Sequence, residues 1–250
     1  MNYIFLSEKE SFNNGAEKIQ QEAFLQTKEC KIIDLESIFN ERILLEDGKK
    51  PLCYFLTNDF NLPLYVELLR EIGLKIVNDK FLSGSSLKFV LQQKIKRGGV
   101  NTPKSTWITS KDPDLLKSIQ YPFFLKDQKQ AGIVEYVENK IKLAEKLKAV
   151  QNIKGIYFEE AVEKSPMFLK KFYYIIGSVI DMDTTTKEPV PLWLESVFKK
   201  ISQSLDLEVF SADVFVDLLA KDYSCIDVNP APAFFKSDIA CSEFVKNVFI

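Results

Sequence analysis

Short apolar runs separated by amphipathic stretches organise the first third of the chain. The runs that predict strands lie at 2–6, 31–34, 53–57 and 75–78. Between them, residues 15–27 and 62–72 carry apolar side chains at helical spacing, and Gly73 follows the second stretch as a C-terminal signal. Strands that alternate with helices are typical of an open, parallel α/β sheet.

The later pattern mixes helices with paired strands. The segments that predict helices are 83–98, 113–119, 139–150, 192–204 and 237–250. Residues 100–108 predict a loop that leads into a strand, and the segments that predict single strands are 121–127, 133–137 and 155–162. Hairpins are predicted at 171–182 and 213–229. The C-terminal half is therefore expected to be α+β rather than a regular α/β sheet.

The second hairpin carries a group of oxygen-bearing side chains. Asp213 lies in its first strand, and Asp227 and Asn229 lie two positions apart in its second strand. Since side chains alternate along a strand, Asp227 and Asn229 face the same side, and strand pairing can bring Asp213 beside them. Hard oxygen ligands of this kind suit Mg²⁺ that carries a nucleotide phosphate. A polar strand end is the plain alternative, and both interpretations remain open at this point.

Composition excludes several kinds of chemistry. The 250 residues include no histidine, which excludes histidine-based triads and histidine metal ligands. The four cysteines form no C-x-x-C pair, so neither a zinc site nor a redox dithiol is predicted. The 33 basic and 35 acidic residues are mixed along the chain, which gives no support for nucleic-acid binding.

The chain also lacks the usual signals for export or membrane insertion. The first ten residues have no basic region before an apolar run, and no run approaches 18 apolar residues. We therefore expect a cytoplasmic protein with no membrane partner.

Five segments, in order, resemble the ATP-grasp superfamily. They are Gly73–Asn78, Leu87–Pro103 with its Gly99-Val-Asn-Thr-Pro103 end, Tyr121-Pro-Phe-Phe-Leu-Lys126, Phe158-Glu-Glu-Ala-Val162, and the pair Asp213 with Asp227-Val-Asn229-Pro230. The resemblance is strongest to the short carboxylate–amine ligases of the ribosomal-protein-modifying and glutathione-synthetase type. It implies an N-terminal α/β domain at 1–80, a central subdomain with a nucleotide lid at 81–162, and a C-terminal subdomain with the metal site at 163–250.

The resemblance also implies where ATP and Mg²⁺ bind. Lys88 and Lys126 correspond to the lysines that reach the phosphates, although a lone lysine is more often a solvated surface residue. Adenine would contact the backbone of residues 160–162, that is Glu160, Ala161 and Val162. Glu159 or Glu163 would accept from the ribose hydroxyls. Asp213, Asp227 and Asn229 would be the metal ligands.

Three departures from the family pattern bear on activity. The loop at 126–132, which should close over the phosphates, keeps only Gly132. Arginine occurs only at positions 42, 70 and 97, so Lys171, with Lys170 beside it, is the nearest replacement for the family's catalytic arginine. Asp227 stands where most ligases of the family have glutamate.

The expected function is an ATP- and Mg²⁺-dependent ligase that forms an amide from a carboxylate and an amine, releasing ADP. Its substrates would be small molecules or peptides, and the sequence leaves homo-oligomerisation open. The alternatives are a degenerate ATP-grasp protein that binds nucleotide without turnover, and a small-molecule kinase on the same fold.

Overall fold

The computed structural model of the protein describes residues 2–6, 9–34, 52–56, 62–79, 87–107, 119–127, 134–149, 156–162, 167–184 and 189–249. Within these ranges, twelve strands form three four-stranded sheets. Most of the predicted helix at 113–119, most of the loop at 126–132, and Glu163 lie outside the described residues.

The first sheet is fully parallel, as predicted. Its strands are β1 (Asn2–Leu6), β2 (Cys30–Asp34), β3 (Leu52–Leu56) and β4 (Lys75–Ile76), in the order β2-β1-β3-β4. Helix α2 (Leu62–Glu71) packs Val66 and Leu69 into the core, and Gly73 follows it at φ 86°, a left-handed conformation that glycine adopts without strain.

Helix α1 (Lys9–Leu25) begins earlier than the predicted start at residue 15. Its first turns contain Asn13, Asn14 and Gly15, which have low helix propensity and hid the true start. Tertiary packing compensates, because the ring of Phe235 lies so close to Gly15 that a Cβ there would be 2.2 Å from Phe235 Cδ1. Only glycine allows this approach.

The second sheet is antiparallel and has a small core of its own. Its strands are β5 (Ser105–Trp107), β6 (Phe123–Asp127), β7 (Val134–Val137) and β8 (Ile156–Glu160), in the order β5-β8-β6-β7. The helix α4 (Lys140–Ala149) places Leu143 against Phe123, Leu125 and Phe158. Helix α3 (Lys88–Arg97) precedes this sheet in the chain.

The third sheet is also antiparallel, and both predicted hairpins lie within it. Its strands are β9 (Phe168–Ile175), β10 (Ser178–Asp181), β11 (Val209–Asp217) and β12 (Asp222–Asn229), in the order β10-β9-β11-β12. Two helices follow its strands, α5 (Leu192–Leu205) and α6 (Asp238–Val248), and a 3₁₀ turn at Phe234–Lys236 leads into α6.

The first and third sheets share buried clusters, whereas the second sheet has a separate one. One shared cluster joins Phe55 and Val66 to Phe198 and Val214, and also includes Ile95 of α3. A second joins β1 and α1 to α6. The cluster under the second sheet contains only residues of strands β6, β7 and β8, of helix α4, and of the segment just before β6. The second sheet is therefore packed as a separate layer, and a pocket lies between its strand β8 and strand β12 of the third sheet. The domain limits at 80 and 162 stay a prediction.

In the described part of the chain, we find no helix with the length and apolar character needed to cross a membrane.

Candidate functional site

The cleft between the second and third sheets gathers charged side chains from three elements. Lys88 is the first residue of α3, Lys126 lies near the end of β6, and Asp227 lies near the end of β12. Lys88 Nζ lies 3.3 Å from Asp227 Oδ2. The sequence expectation placed these three residues around one ligand, and the structure brings them to one cleft.

Lys126 is a buried cation with a buried counter-ion. Its Nζ donates to Glu159 Oε1 and also to the carbonyl of Ile226, at 3.3 Å. Both side chains are nearly inaccessible, at 9% and 2% exposure for Lys126 and Glu159. Burial raises the pKa of Glu159, while Lys126 and a hydrogen bond from Gln92 act in the opposite direction. A lysine fixed in this way is not the solvated surface residue of the plain interpretation.

Gln92 completes this group and was missed by the sequence reasoning. Its Nε2 donates to Glu159 Oε2 at 2.5 Å, so the two carboxylate oxygens serve two different partners. A signal was present in the sequence, since Gln92 lies four residues after Lys88 and such residues share one helix face. A glutamine on an amphipathic helix gives no other indication of burial.

Lys171 and Asp213 form a second ion pair on the third sheet. They are direct partners in the register of β9 and β11, and Lys171 Nζ lies 3.0 Å from Asp213 Oδ1. Lys170 points to the opposite face and pairs with Asp181. Of the two neighbouring lysines, Lys171 is therefore the one beside the predicted metal ligands.

The three predicted metal ligands lie together on the second hairpin. Asp213 is the register partner of Asp227, and Asn229 follows two positions later. Among the residues described, no group of three His, Cys, Asp or Glu side chains is placed to hold a metal. The predicted set instead combines two carboxylates with the amide of Asn229, whose Oδ1 accepts from the Ala231 N–H at 3.0 Å. Carboxylate and amide oxygens fit Mg²⁺, which also keeps positions for phosphate oxygens and water.

A β-bulge controls which way these side chains point. Asp227 pairs with Asp213, but Cys225 pairs with Val214, so Ile226 is the extra residue of the bulge. Strict alternation would place Cys225 and Asp227 on the same face. With the bulge, Cys225 joins the buried core while Asp227 faces the cleft, and the Ile226 carbonyl reaches Lys126.

A pocket lies between α3, β8 and β12. Its empty volume is about 260 Å³, which includes space that is open to solvent. The residues that line it are Lys88, Leu91, Gln92, Ile95, Tyr157, Cys225, Ile226, Asp227 and Val228. It is bounded by charged groups at one end and by apolar side chains along its walls, as expected for a site that takes a ligand with a charged and an apolar part.

The residues expected to hold adenine lie at the end of β8. Glu160 is exposed, and Ala161 and Val162 are half-buried. The N–H groups of Glu160 and Ala161 donate to the carbonyls of Lys104 and Pro122 at 2.9 and 3.3 Å. The ribose role of Glu159 stays a prediction, and its carboxylate already binds Lys126 and Gln92.

Solved structures of other proteins resemble this chain over nearly its whole length. The ATP-grasp ligase PsnB, complexed with precursor peptide PsnA2 and AMPPNP, is 12% identical with a TM-score of 0.72, covering 98% of this chain and 95% of that chain. D-alanine–D-alanine ligase from Bacillus anthracis is 14% identical with a TM-score of 0.72, covering 99% and 96%. The macrocyclase MdnC, bound with precursor peptide MdnA from Microcystis aeruginosa MRC, is 13% identical with a TM-score of 0.67, covering 99% of both chains.

No protein-family model and no curated protein matches the chain. At identities this low, the likeness concerns the fold.

Proposed function

The chain has the ATP-grasp fold, and on that premise we propose that it is an ATP- and Mg²⁺-dependent ligase that joins a carboxylate to an amine. One observation carries the proposal: Lys88, Lys126 and Lys171 come from three different elements, each lies beside a carboxylate, and two of those carboxylates, Asp227 and Asp213, are register partners in one hairpin.

The paired charges suit a site that exchanges its partners when nucleotide binds. ATP carries about four negative charges, so a site for it needs cations. Lys88 would turn from Asp227 towards the phosphates, and Lys126 would offer its remaining N–H to them while it stays bound to Glu159. Asp227 and Asp213, freed from their lysines, would then be available with Asn229 to Mg²⁺. When bound, Mg²⁺ would supply positive charge that neutralises the phosphate oxygens during transfer.

The proposed reaction has two steps. A substrate carboxylate oxygen attacks the γ-phosphorus of ATP, and the bond from that phosphorus to the β–γ bridging oxygen breaks, giving an acyl-phosphate and ADP. The amine then attacks the carbonyl carbon, phosphate leaves, and the amine loses a proton to form the amide. Lys171, on the face of Asp213, would stabilise the charge that develops on the transferred phosphoryl group. Such catalysis depends on positioning and charge, so it does not need a histidine.

Peptides are the first substrate class to examine. PsnB and MdnC are each complexed with a precursor peptide in the structures that resemble this chain. A peptide would offer both a side-chain carboxylate and an amine. We propose a peptide or a small molecule bearing these groups as the substrate.

The direct test is ADP release from MgATP with mixtures of carboxylates and amines, analysed by mass spectrometry for an amide product. Asp227→Ala should abolish release, whereas Asp222→Ala, an exposed aspartate of the same hairpin, should not. ADP formed with a phosphorylated product would instead identify a kinase. Nucleotide binding without release of ADP under any mixture would favour a binding protein without turnover.

A further inference from the structure

Gln92 has a hydrogen-bonding atom that the fold itself does not satisfy. The side chain is only 6% exposed, and its Nε2 donates to Glu159. Its Oε1 is buried, and no group in the described part of the chain donates to it. The same side chain lines the pocket between α3, β8 and β12.

The orientation of this amide is fixed by its neighbour. The Nε2 of Gln92 donates to Glu159 Oε2 at 2.5 Å, and a carboxylate oxygen accepts such a bond. The Oε1 at the other corner of the same amide therefore points away from Glu159. Burying an acceptor that has no donor costs free energy. A ligand with an N–H group at this position removes that cost and therefore binds more tightly than a ligand that lacks the group.

We propose that Gln92 is a specificity-determining residue whose Oε1 accepts a hydrogen bond from the 6-amino group of an adenine nucleotide. This inference rests on the proposed ATP-dependent function. It concerns a side chain on α3, in addition to the backbone groups at the end of β8. A 6-oxo purine would present an acceptor to the same atom and is selected against, because two acceptors then face each other.

The position of Gln92 agrees with this role. Glu159, to which it is bound, immediately precedes the segment 160–162 that is expected to border adenine. Lys88, one helical turn earlier on the same face of α3, provides a cation for the phosphates. Leu91 and Ile226 supply apolar walls of the pocket. The charged and apolar parts of a nucleotide thus find matching groups along one pocket.

The experiment measures dissociation constants by calorimetry for three magnesium nucleotides: ATP, GTP and the triphosphate of purine riboside, which lacks the 6-amino group. Gln92→Met keeps the size of the side chain and removes the acceptor. Gln93→Met is the matched control, since Gln93 is the next residue and its Nε2 instead donates to Ser105 Oγ at 2.9 Å.

We expect the wild type to bind ATP about tenfold or more tightly than the purine riboside analogue, and GTP more weakly than ATP. Gln92→Met should bind ATP and the analogue with equal affinity. Gln93→Met should keep the wild-type preference. If Gln92→Met fails to fold, Gln92→Asn, which withdraws the amide by one methylene, should show the same loss of preference.

Equal affinities for ATP and the analogue in the wild type would overturn the inference and leave the proposed function standing. A preference that persists in the folded Gln92 variants would also overturn it, since the amino group would then be bound elsewhere. Failure of all three nucleotides to bind would instead remove the proposed function on which the inference rests.

Discussion

Lys88 Nζ and Asp227 Oδ2 lie 3.3 Å apart although 139 residues separate them in the chain. Helix α3 and strand β12 each contribute one member of this pair, and both members line the same pocket. The pair therefore connects the predicted phosphate-binding lysine to the predicted metal ligand. In the proposed function, binding of MgATP separates them, because the lysine gains phosphate oxygens and the aspartate gains the metal.

Replacing Lys88 should weaken nucleotide binding specifically. In Lys88→Ala, we expect the dissociation constant for MgATP to rise about 10- to 100-fold, since a charge-assisted hydrogen bond to phosphate is lost. Lys96→Ala is the matched control, because Lys96 is an exposed lysine on the same helix. Calorimetry on both variants tests the assignment, and equal affinities would show that Lys88 takes no part in binding.

The Lys126–Glu159 pair gives a prediction about stability and pH. Lys126→Met leaves a buried carboxyl group without its counter-ion and should lower the free energy of unfolding by about 3–5 kcal/mol at neutral pH. Burial already raises the pKa of Glu159, and loss of Lys126 removes the main opposing influence. The folded variant then binds a proton that the unfolded chain releases, so its stability is retained at low pH and lost as the pH rises.

Urea unfolding at pH 5 and pH 8 measures this effect. The gap in stability between Lys126→Met and the wild type should be smaller at pH 5. The double variant Lys126→Met/Glu159→Gln serves as the control, because it has no carboxyl group at position 159 and its deficit should not depend on pH. A gap that is equal at both pH values would contradict the buried pairing.

Asn78 links the first sheet to the strand that carries the predicted metal ligands. Its Nδ2 donates to the carbonyls of Val209 and Pro230 at 2.6 and 2.7 Å, and its Oδ1 accepts from the N–H groups of Glu208 and Val209. Its backbone is left-handed, with φ 59°, which Asn tolerates better than most residues. Asn78→Ala should therefore cost about 2–4 kcal/mol in urea unfolding. Asn247→Ala is the control, because Asn247 is exposed, and it should cost little. Similar losses of stability in both variants would refute the linking role of Asn78.

The four cysteines should be unreactive in the folded protein. All are free thiols, and burial raises the pKa of each, to about 12 for Cys30 and Cys241. At pH 8 we expect slow reaction with an aromatic disulfide reagent in buffer and reaction of all four thiols in denaturant. The raised pKa values also mean that stability present below about pH 9 is lost as the pH rises towards 12. Rapid native modification of Cys53, Cys225 or Cys241 would contradict the burial of these thiols.

Features that depend on the local pattern of apolar and polar residues could be predicted from the sequence. The parallel first sheet followed from apolar runs alternating with helices, and both hairpins followed from turn residues between apolar runs. The register of Lys171 against Asp213 could not be predicted, because Lys170 and Lys171 are adjacent and a shift of one residue exchanges their faces. Pairing with β11 decides between them.

Other features depend on contacts between distant segments. Nothing in the local sequence indicates the bulge at Ile226. The bulge nevertheless places the side chain of Cys225 in the core and that of Asp227 in the cleft. The role of Gln92 exists only because α3 packs against β8 in space. The start of α1 was predicted too late because local propensity around Gly15 gave no hint of the contact with Phe235.

The central claim, that this cleft binds MgATP, is tested most directly by a thermal-shift titration with ATP, with and without Mg²⁺, on the wild type and on Asp227→Ala. A ligand that binds only the folded state at a hundredfold excess over its dissociation constant stabilises it by about 2.7 kcal/mol. We predict a magnesium-dependent rise in the melting temperature of the wild type that Asp227→Ala loses. No rise in the wild type, or the same rise in both proteins, would contradict the account.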